Sequence, residues 1–254
     1  MDLPINRLKQ ALGERRPQVG CWLTLESTMA TEIASGAGFD WLLLDMEHTG
    51  VTLAQVGQHL LAARSGDAEL AVRIPSHDPA LTKNLLDCGV RTLMYPYVQN
   101  ASEARRIVAM TRYPPDGIRG VAGWNRGNGY QRIGDYGTRY KEALCVIAQV
   151  ESPEALLAIP DMAGIDGLDA IFVGPNDLAA NMGLYGQPGA VVVKAAIAEA
   201  LPKIKATGKA AGILNFNPPD AKAHFEAGFD FVAVGSDASM LIRRSDELRA
   251  LFAS

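Results

Sequence analysis

Eight short apolar runs, each followed by a helix-like pattern, constrain what this chain can fold into more than any other feature. They lie near Val19–Leu23, Trp41–Asp45, Leu70–Ile74, Thr92–Tyr95, Cys145–Glu151, Ala170–Gly174, Ala211–Leu214 and Phe231–Gly235. Several (LLLD, AIFVG, FVAVG) are apolar almost throughout, as strands are when helices cover both faces of a parallel sheet. Helix signals fill the gaps. Asp78-Pro79 is an N-cap followed by proline, and Leu81, Leu85 and Leu86 supply an apolar stripe up to Gly89. Asn100 and Glu103 have capping-box spacing before Ile107 and Val108, and Ser152-Pro153 repeats the cap-proline start. Eight strand–helix units in 254 residues predict a single (β/α)8 TIM barrel spanning 1–254. An open, doubly wound sheet is the alternative, but no GxGxxG follows an early strand.

Composition narrows the function classes. Hydrophobic residues make up 48% and charged residues 20%, which suits a sizeable core rather than disorder. The net charge is −4 and no basic block stands out, which argues against nucleic acid as a partner. The apolar runs are strand-length, short of the ~20 residues a membrane span needs, and the N-terminus lacks a signal-peptide core. Cys21, Cys88 and Cys145 are odd in number and lack CxxC spacing, as expected of free, buried thiols in a cytoplasmic protein. One stretch breaks the alternation. Pro114–Tyr140 is rich in glycine and carries Arg119, Arg126, Arg132 and Arg139. It is either a lid or binding loop, its arginines hinting at an acidic substrate, or a solvated insertion.

In a TIM barrel the chemistry sits at the C-terminal ends of the strands. Strand two ends in Asp45-Met46-Glu47-His48 and strand three in Arg73, followed by His77. Strand five ends in Gln149-Val150-Glu151, strand six runs into Gly174-Pro175-Asn176-Asp177, and strand eight ends in Gly235-Ser236-Asp237. Each residue also has a structural role open to it. Glu151 suits the start of the following helix, Asp177 suits an N-cap, and His48 suits a loop. Asp45 suits either an ion pair with Arg73 or the orientation of His48. Arg73, closing an apolar strand, requires an anionic partner. His59 and His224 fall in helical stretches and read as structural. Two carboxylates with few other ligands favour a hard cation such as Mg2+ or Mn2+. No Cys/His cluster points to zinc and no GxSxG elbow points to a serine nucleophile. A Schiff-base mechanism needs a buried lysine, and no lysine falls within an expected strand or at its C-terminal end.

The segments FDWLLLDMEH, LLDCG, RYPPDGIRG, QVES, IFVGPNDLAANMG, AAGIL and FVAVGSD, with the Arg73 strand, resemble successive motifs of the 4-hydroxy-2-oxoheptane-1,7-dioate aldolase (HpcH/HpaI) family. They run from about Gly20 to Gly235 and cover most of the chain. The resemblance implies a class II pyruvate aldolase on a TIM barrel, dependent on Mg2+ or Mn2+, with Co2+ admitted. It implies Glu151 and Asp177 as metal ligands and Arg73 at the keto oxygen of pyruvate. It makes His48, held by Asp45, the acid/base residue, with Gln149 supporting Glu151. Gly174 and the amides of Asn176 and Asp177 line the carboxylate grip, and Trp22 and Leu214 wall the pocket. Asp87 matches an aspartate that reaches across a subunit interface, in a family that is typically hexameric with its final helix exchanged. Met46, where glycine is common, and Asn217-Pro218-Pro219 depart from the pattern and put the acceptor pocket in doubt. The substrates implied are pyruvate and an aldehyde such as succinic semialdehyde. A lyase of 2-keto-3-deoxy sugar acids or CoA thioesters, and a non-catalytic keto-acid-binding barrel, are the alternatives.

Overall fold

A computed structural model describes residues 1–253. Eight parallel strands pair in chain order and close into a barrel, with β1 hydrogen-bonded to β8. They are β1 (Gln18–Leu23), β2 (Trp41–Asp45), β3 (Glu69–Arg73), β4 (Thr92–Tyr95), β5 (Cys145–Val150), β6 (Ala170–Val173), β7 (Ala210–Leu214) and β8 (Phe231–Ser236). The helices are α1 (Arg7–Gly13), α2 (Thr28–Gly36), α3 (Leu53–Ala62), α4 (Pro79–Asp87), α5 (Ala101–Thr111) and α6 (Tyr136–Ala143). They continue as α7 (Pro153–Ala158), α8 (Pro175–Asn181), α9 (Val191–Ala206), α10 (Pro218–Ala227) and α11 (Asp237–Ala250). The expected (β/α)8 architecture is therefore present, with strand limits shifted by one residue at several ends. The three expected helix starts form as the sequence requires. Asp78 caps Ala80 and Leu81, Asn100 caps Glu103, and Ser152 caps Ala155.

The two-residue period of a strand decides which side chains enter the barrel. Trp41, Leu43, Ala71, Met94, Ile147, Phe172 and Phe231 form one cluster inside it. Their aromatic rings meet edge to face, Trp41 and Phe231 at 5.5 Å between centroids and Trp41 and Phe172 at 6.5 Å. Burying each such ring contributes about 1.5–3 kcal/mol. Gly20 leaves the space that Trp41 fills, since a Cβ there would lie 2.1 Å from the indole. Leu8 and Leu12 of α1 join the same cluster. Asn6, the cap of α1, donates to Thr92 Oγ1 and the Ala143 carbonyl, both at 2.9 Å. The N-terminal rim is thereby plugged, and the C-terminal rim is left as the mouth.

The outward faces of the strands pack on the helices in a second, larger cluster that includes Leu42, Leu44, Val72, Leu85 and Ile107. Met46 is buried there too, so this departure from the family pattern sits in the outer core and not in the acceptor pocket. Helix α11 is different. Of its described side chains only Asp237 is buried, while Leu241 and Ile242 are about 60% exposed at 59% and 60%.

Candidate active site

One step further along the two-residue period lies the top layer of the barrel. Gly20 leads to Trp22, Leu43 to Asp45, Ala71 to Arg73, Ile147 to Gln149, Phe172 to Gly174 and Gly212 to Leu214. Strand parity alone thus brings six of the expected residues to one layer at the mouth. Register does the rest, because Asp45 of β2 is the direct partner of Arg73 of β3.

Arg73 and Asp45 form a bidentate pair, Nε donating to Oδ1 at 2.9 Å and Nη2 to Oδ2 at 2.6 Å. Both side chains are almost fully buried. The Trp22 indole N–H adds a bond to Asp45 Oδ2 at 3.3 Å, and the guanidinium lies 5.1 Å from the Trp22 ring centroid. Burial alone raises the Asp45 pKa, but the hydrogen bonds and charge of Arg73 prevail and hold it below the ordinary value. Asp45 is therefore the orienter of Arg73. It reaches His48 only at the backbone N–H, at 3.5 Å. The His48 ring is exposed and its nearest acid is Glu47, 3.8 Å away. Glu47, which has no role of its own in the sequence motifs, also reaches Arg73. Its Oε2 lies 3.0 Å from Arg73 Nη1, and burial raises its pKa against the pull of Arg73. A carboxylate one residue from a candidate base and two from the strand end was a usable signal.

Neither Glu151 nor Asp177 caps a helix, although Glu151 directly precedes the cap of α7 and Asp177 lies in the first turn of α8. Ser152 caps α7 and Gly174 caps α8, so both carboxylates are free of capping. Glu151 Oε1 accepts from the Tyr97 backbone N–H at 2.8 Å and Oε2 from Gln149 Nε2 at 2.6 Å. Gly174 makes room for it, as a Cβ there would fall 2.2 Å from Glu151 Oε2. Burial, then the charges of Asp177 and Glu47, push the Glu151 pKa up to about 7, although Tyr97 and Arg73 oppose this. Asp45, Glu47 and Glu151 act on the Arg73 guanidinium, and Asp177, exposed in the first turn of α8, adds its negative charge to that felt by Glu151 and Glu47. Gln149 Oε1 is buried without a hydrogen-bond partner. Among the described residues no three His, Cys, Asp or Glu side chains meet in metal-holding geometry. A cation here would have two protein carboxylates and complete its shell with water and substrate, as Mg2+ commonly does. The donor set fits such an ion.

Two expected contributors lie away from the mouth of their own barrel. Asp87 ends α4, away from Arg73, and binds Arg119 Nη2 at 2.7 Å. A barrel helix runs antiparallel to its strand, so its last residue lies at the N-terminal rim. The Pro114–Tyr140 segment lies at that rim as well. Gly127 N–H donates to the Asp87 carbonyl, and Arg126 Nη1 to the Gly57 carbonyl. Arg119 is fully buried and Arg139 pairs with Asp135 and Glu142, so these arginines serve no acidic substrate at the mouth of their own barrel. The connection, which runs into α6, leads from α5 back to β5, and helix-to-strand connections cross the rim opposite the mouth. The strands contain no lysine, and Lys209 donates to the Ile165 carbonyl, which leaves no Schiff-base candidate inside the barrel.

The family model for HpcH/HpaI aldolase/citrate lyase matches residues 18–244. The chain belongs to that family. It is 45% identical over 248 residues to a 4-hydroxy-2-oxo-heptane-1,7-dioate aldolase of Salmonella dublin, covering 97% of this chain and 94% of that one. A solved HpcH/HpaI aldolase/citrate lyase family protein from Burkholderia cenocepacia J2315 superposes with a TM-score of 0.94 at 37% identity, over 98% and 100% of the two chains. An HpcH/HpaI aldolase from Desulfitobacterium hafniense DCB-2 gives 0.88 at 25% identity, over 96% of each chain.

Proposed function

We propose that this family member is a divalent-metal-dependent aldolase that cleaves a 4-hydroxy-2-oxo acid into pyruvate and an aldehyde. The observation that carries the reading is the mouth itself, where a buried arginine meets Asp45, Glu47 and Glu151, with Asp177 close enough to raise the Glu151 pKa. Glu151 and Asp177 would hold the cation, Mg2+ or Mn2+ with Co2+ admitted, and it would supply Lewis acidity for the developing enolate. Arg73, fixed by Asp45, presents its guanidinium to the oxygen that becomes negative as the bond breaks. His48 takes the C4 hydroxyl proton. The C3–C4 bond then breaks, the aldehyde leaves, and its electron pair becomes the pyruvate enolate, which takes a proton at C3. Gln149 steadies Glu151. Gly174 and the amides of Asn176 and Asp177 are the grip for the substrate carboxylate, with Trp22 and Leu214 as walls. The 45% identical relative supports succinic semialdehyde as the aldehyde.

The reading includes a homohexamer in which α11 is exchanged between subunits. Asp87, with the exposed Ile118, Val121 and Trp124, then meets a neighbour's mouth. Three free cysteines favour a cytoplasmic setting.

The test is pyruvate release from 4-hydroxy-2-oxo acids by chelator-treated protein, with Mn2+ or Mg2+ then restored. Activity lost on chelation and regained with metal supports the aldolase. Undiminished turnover without metal removes the roles of Glu151 and Asp177. Binding of pyruvate with no turnover of any acid favours a binding barrel.

A further inference from the structure

Asn181, the last residue of α8, stands outside every residue given a role above, yet its side chain joins the segments that carry both candidate ligands. Nδ2 donates to the Glu151 carbonyl and to the Asp177 carbonyl, each at 3.0 Å. A carboxamide has two N–H groups, one for each acceptor. Its Oδ1 accepts from the Tyr97 phenol at 3.3 Å. Tyr97 also donates its backbone N–H to Glu151 Oε1 at 2.8 Å. It does so from a left-handed backbone, φ 52°, which a residue with a Cβ seldom adopts.

These contacts make a closed circuit from the Glu151 carboxylate through Tyr97 and Asn181 to the main chains of Glu151 and Asp177. The barrel does not need it, since β4, β5 and β6 pair through their own ladders. Each Glu151 oxygen keeps acceptor capacity after its one protein donor, Tyr97 N–H or Gln149 Nε2. We propose that Asn181 and Tyr97 are positioning residues for the divalent cation, setting the spacing and aim of the Glu151 and Asp177 carboxylates. The amide ties the two main chains together. The phenol turns the amide so that both N–H groups point inward, and the Tyr97 N–H fixes the Glu151 rotamer. Partners of this kind behind metal ligands commonly govern affinity.

The inference rests on Glu151 and Asp177 being the ligands, and one experiment separates the two ideas. Chelator-stripped, full-length protein is titrated with Mn2+, the free ion is read by electron paramagnetic resonance, and the melting temperature of each metal-free variant is recorded. Asn181→Leu is expected to weaken Mn2+ binding about tenfold. Tyr97→Phe, which removes only a hydroxyl, is expected to weaken it less, and both should melt like the parent. Parental Mn2+ affinity in both variants, with binding lost in Glu151→Gln, overturns the positioning role and leaves the ligands standing. Parental affinity in Glu151→Gln overturns both. Should Asn181→Leu fail to fold, Tyr97→Phe decides alone, and parental affinity there ends the proposal.

Discussion

Arg73 and Asp45 are neighbours in register, buried together and joined by two hydrogen bonds, so neither is replaceable by itself. Arg73→Ala leaves Asp45 with the Trp22 indole and its backbone contacts. Removing one partner of a buried ion pair costs about 3–5 kcal/mol. Arg73→Ala is therefore expected to lower stability by that amount in urea unfolding and to abolish pyruvate release. Arg73→Lys keeps the charge but not the planar fork, so it should recover part of the stability and little of the activity. Wild-type stability in Arg73→Ala would show that Asp45 is solvated or protonated without cost. The sequence required an anion for Arg73 and left two uses open for Asp45. Only the register between β2 and β3 decides between them.

At the scale of elements, direction matters more than identity. The Pro114–Tyr140 segment resembles a lid in composition, but it connects a helix to a strand and so crosses the plugged rim. Asp87 is carried to the same rim because α4 runs back along β3. Its expected part in catalysis then requires a neighbouring subunit. Helix α11 makes the same demand, with an apolar side that its own barrel leaves uncovered. A chain ending after Ser239 keeps the Ser236/Ser239 capping box and the bonds from Thr24 and Leu25 N–H to Asp237. It is expected to run as a smaller species than the full chain in size-exclusion light scattering, with reduced activity. An unchanged mass would end the idea that α11 is exchanged.

At the scale of the whole molecule, stability should depend on pH through histidines that have no part in the candidate site. His59 is buried, accepts or donates one bond with Thr31 Oγ1 at 2.7 Å, and has no partner for Nε2. Burial lowers its pKa, with Asp237 opposing, and burial lowers that of His224 also. The unfolded chain, with imidazoles near their ordinary value of about 6.5, takes up protons first as pH falls. The histidine contribution to stability is therefore full above that value and declines below it, until the folded histidines titrate in turn, while Glu151, raised to about 7, contributes in the opposite sense. The urea midpoint of the parent should fall relative to that of His59→Gln as pH is lowered from neutral to mildly acid. An equal slope in His59→Gln would assign the effect elsewhere.

Much of the barrel was legible because strand and helix signals are local. Period, caps and prolines lie within a few residues of one another, and the alternation of eight units leaves few architectures. The types of residue at the mouth were legible for the same reason, since strand ends can be counted and carboxylates, Arg73 and His48 fall on them. Closure, register and chain direction are not local. They paired Asp45 with Arg73, brought Glu47 into the site, moved Asp87 and the glycine-rich segment to the far rim, and tied Asn181 to Glu151 and Asp177. The sequence by itself determined which chemistry the chain can offer. Tertiary structure alone decided which groups share a space, because distance between side chains depends on how strands stagger around a closed sheet, not on their separation along the chain.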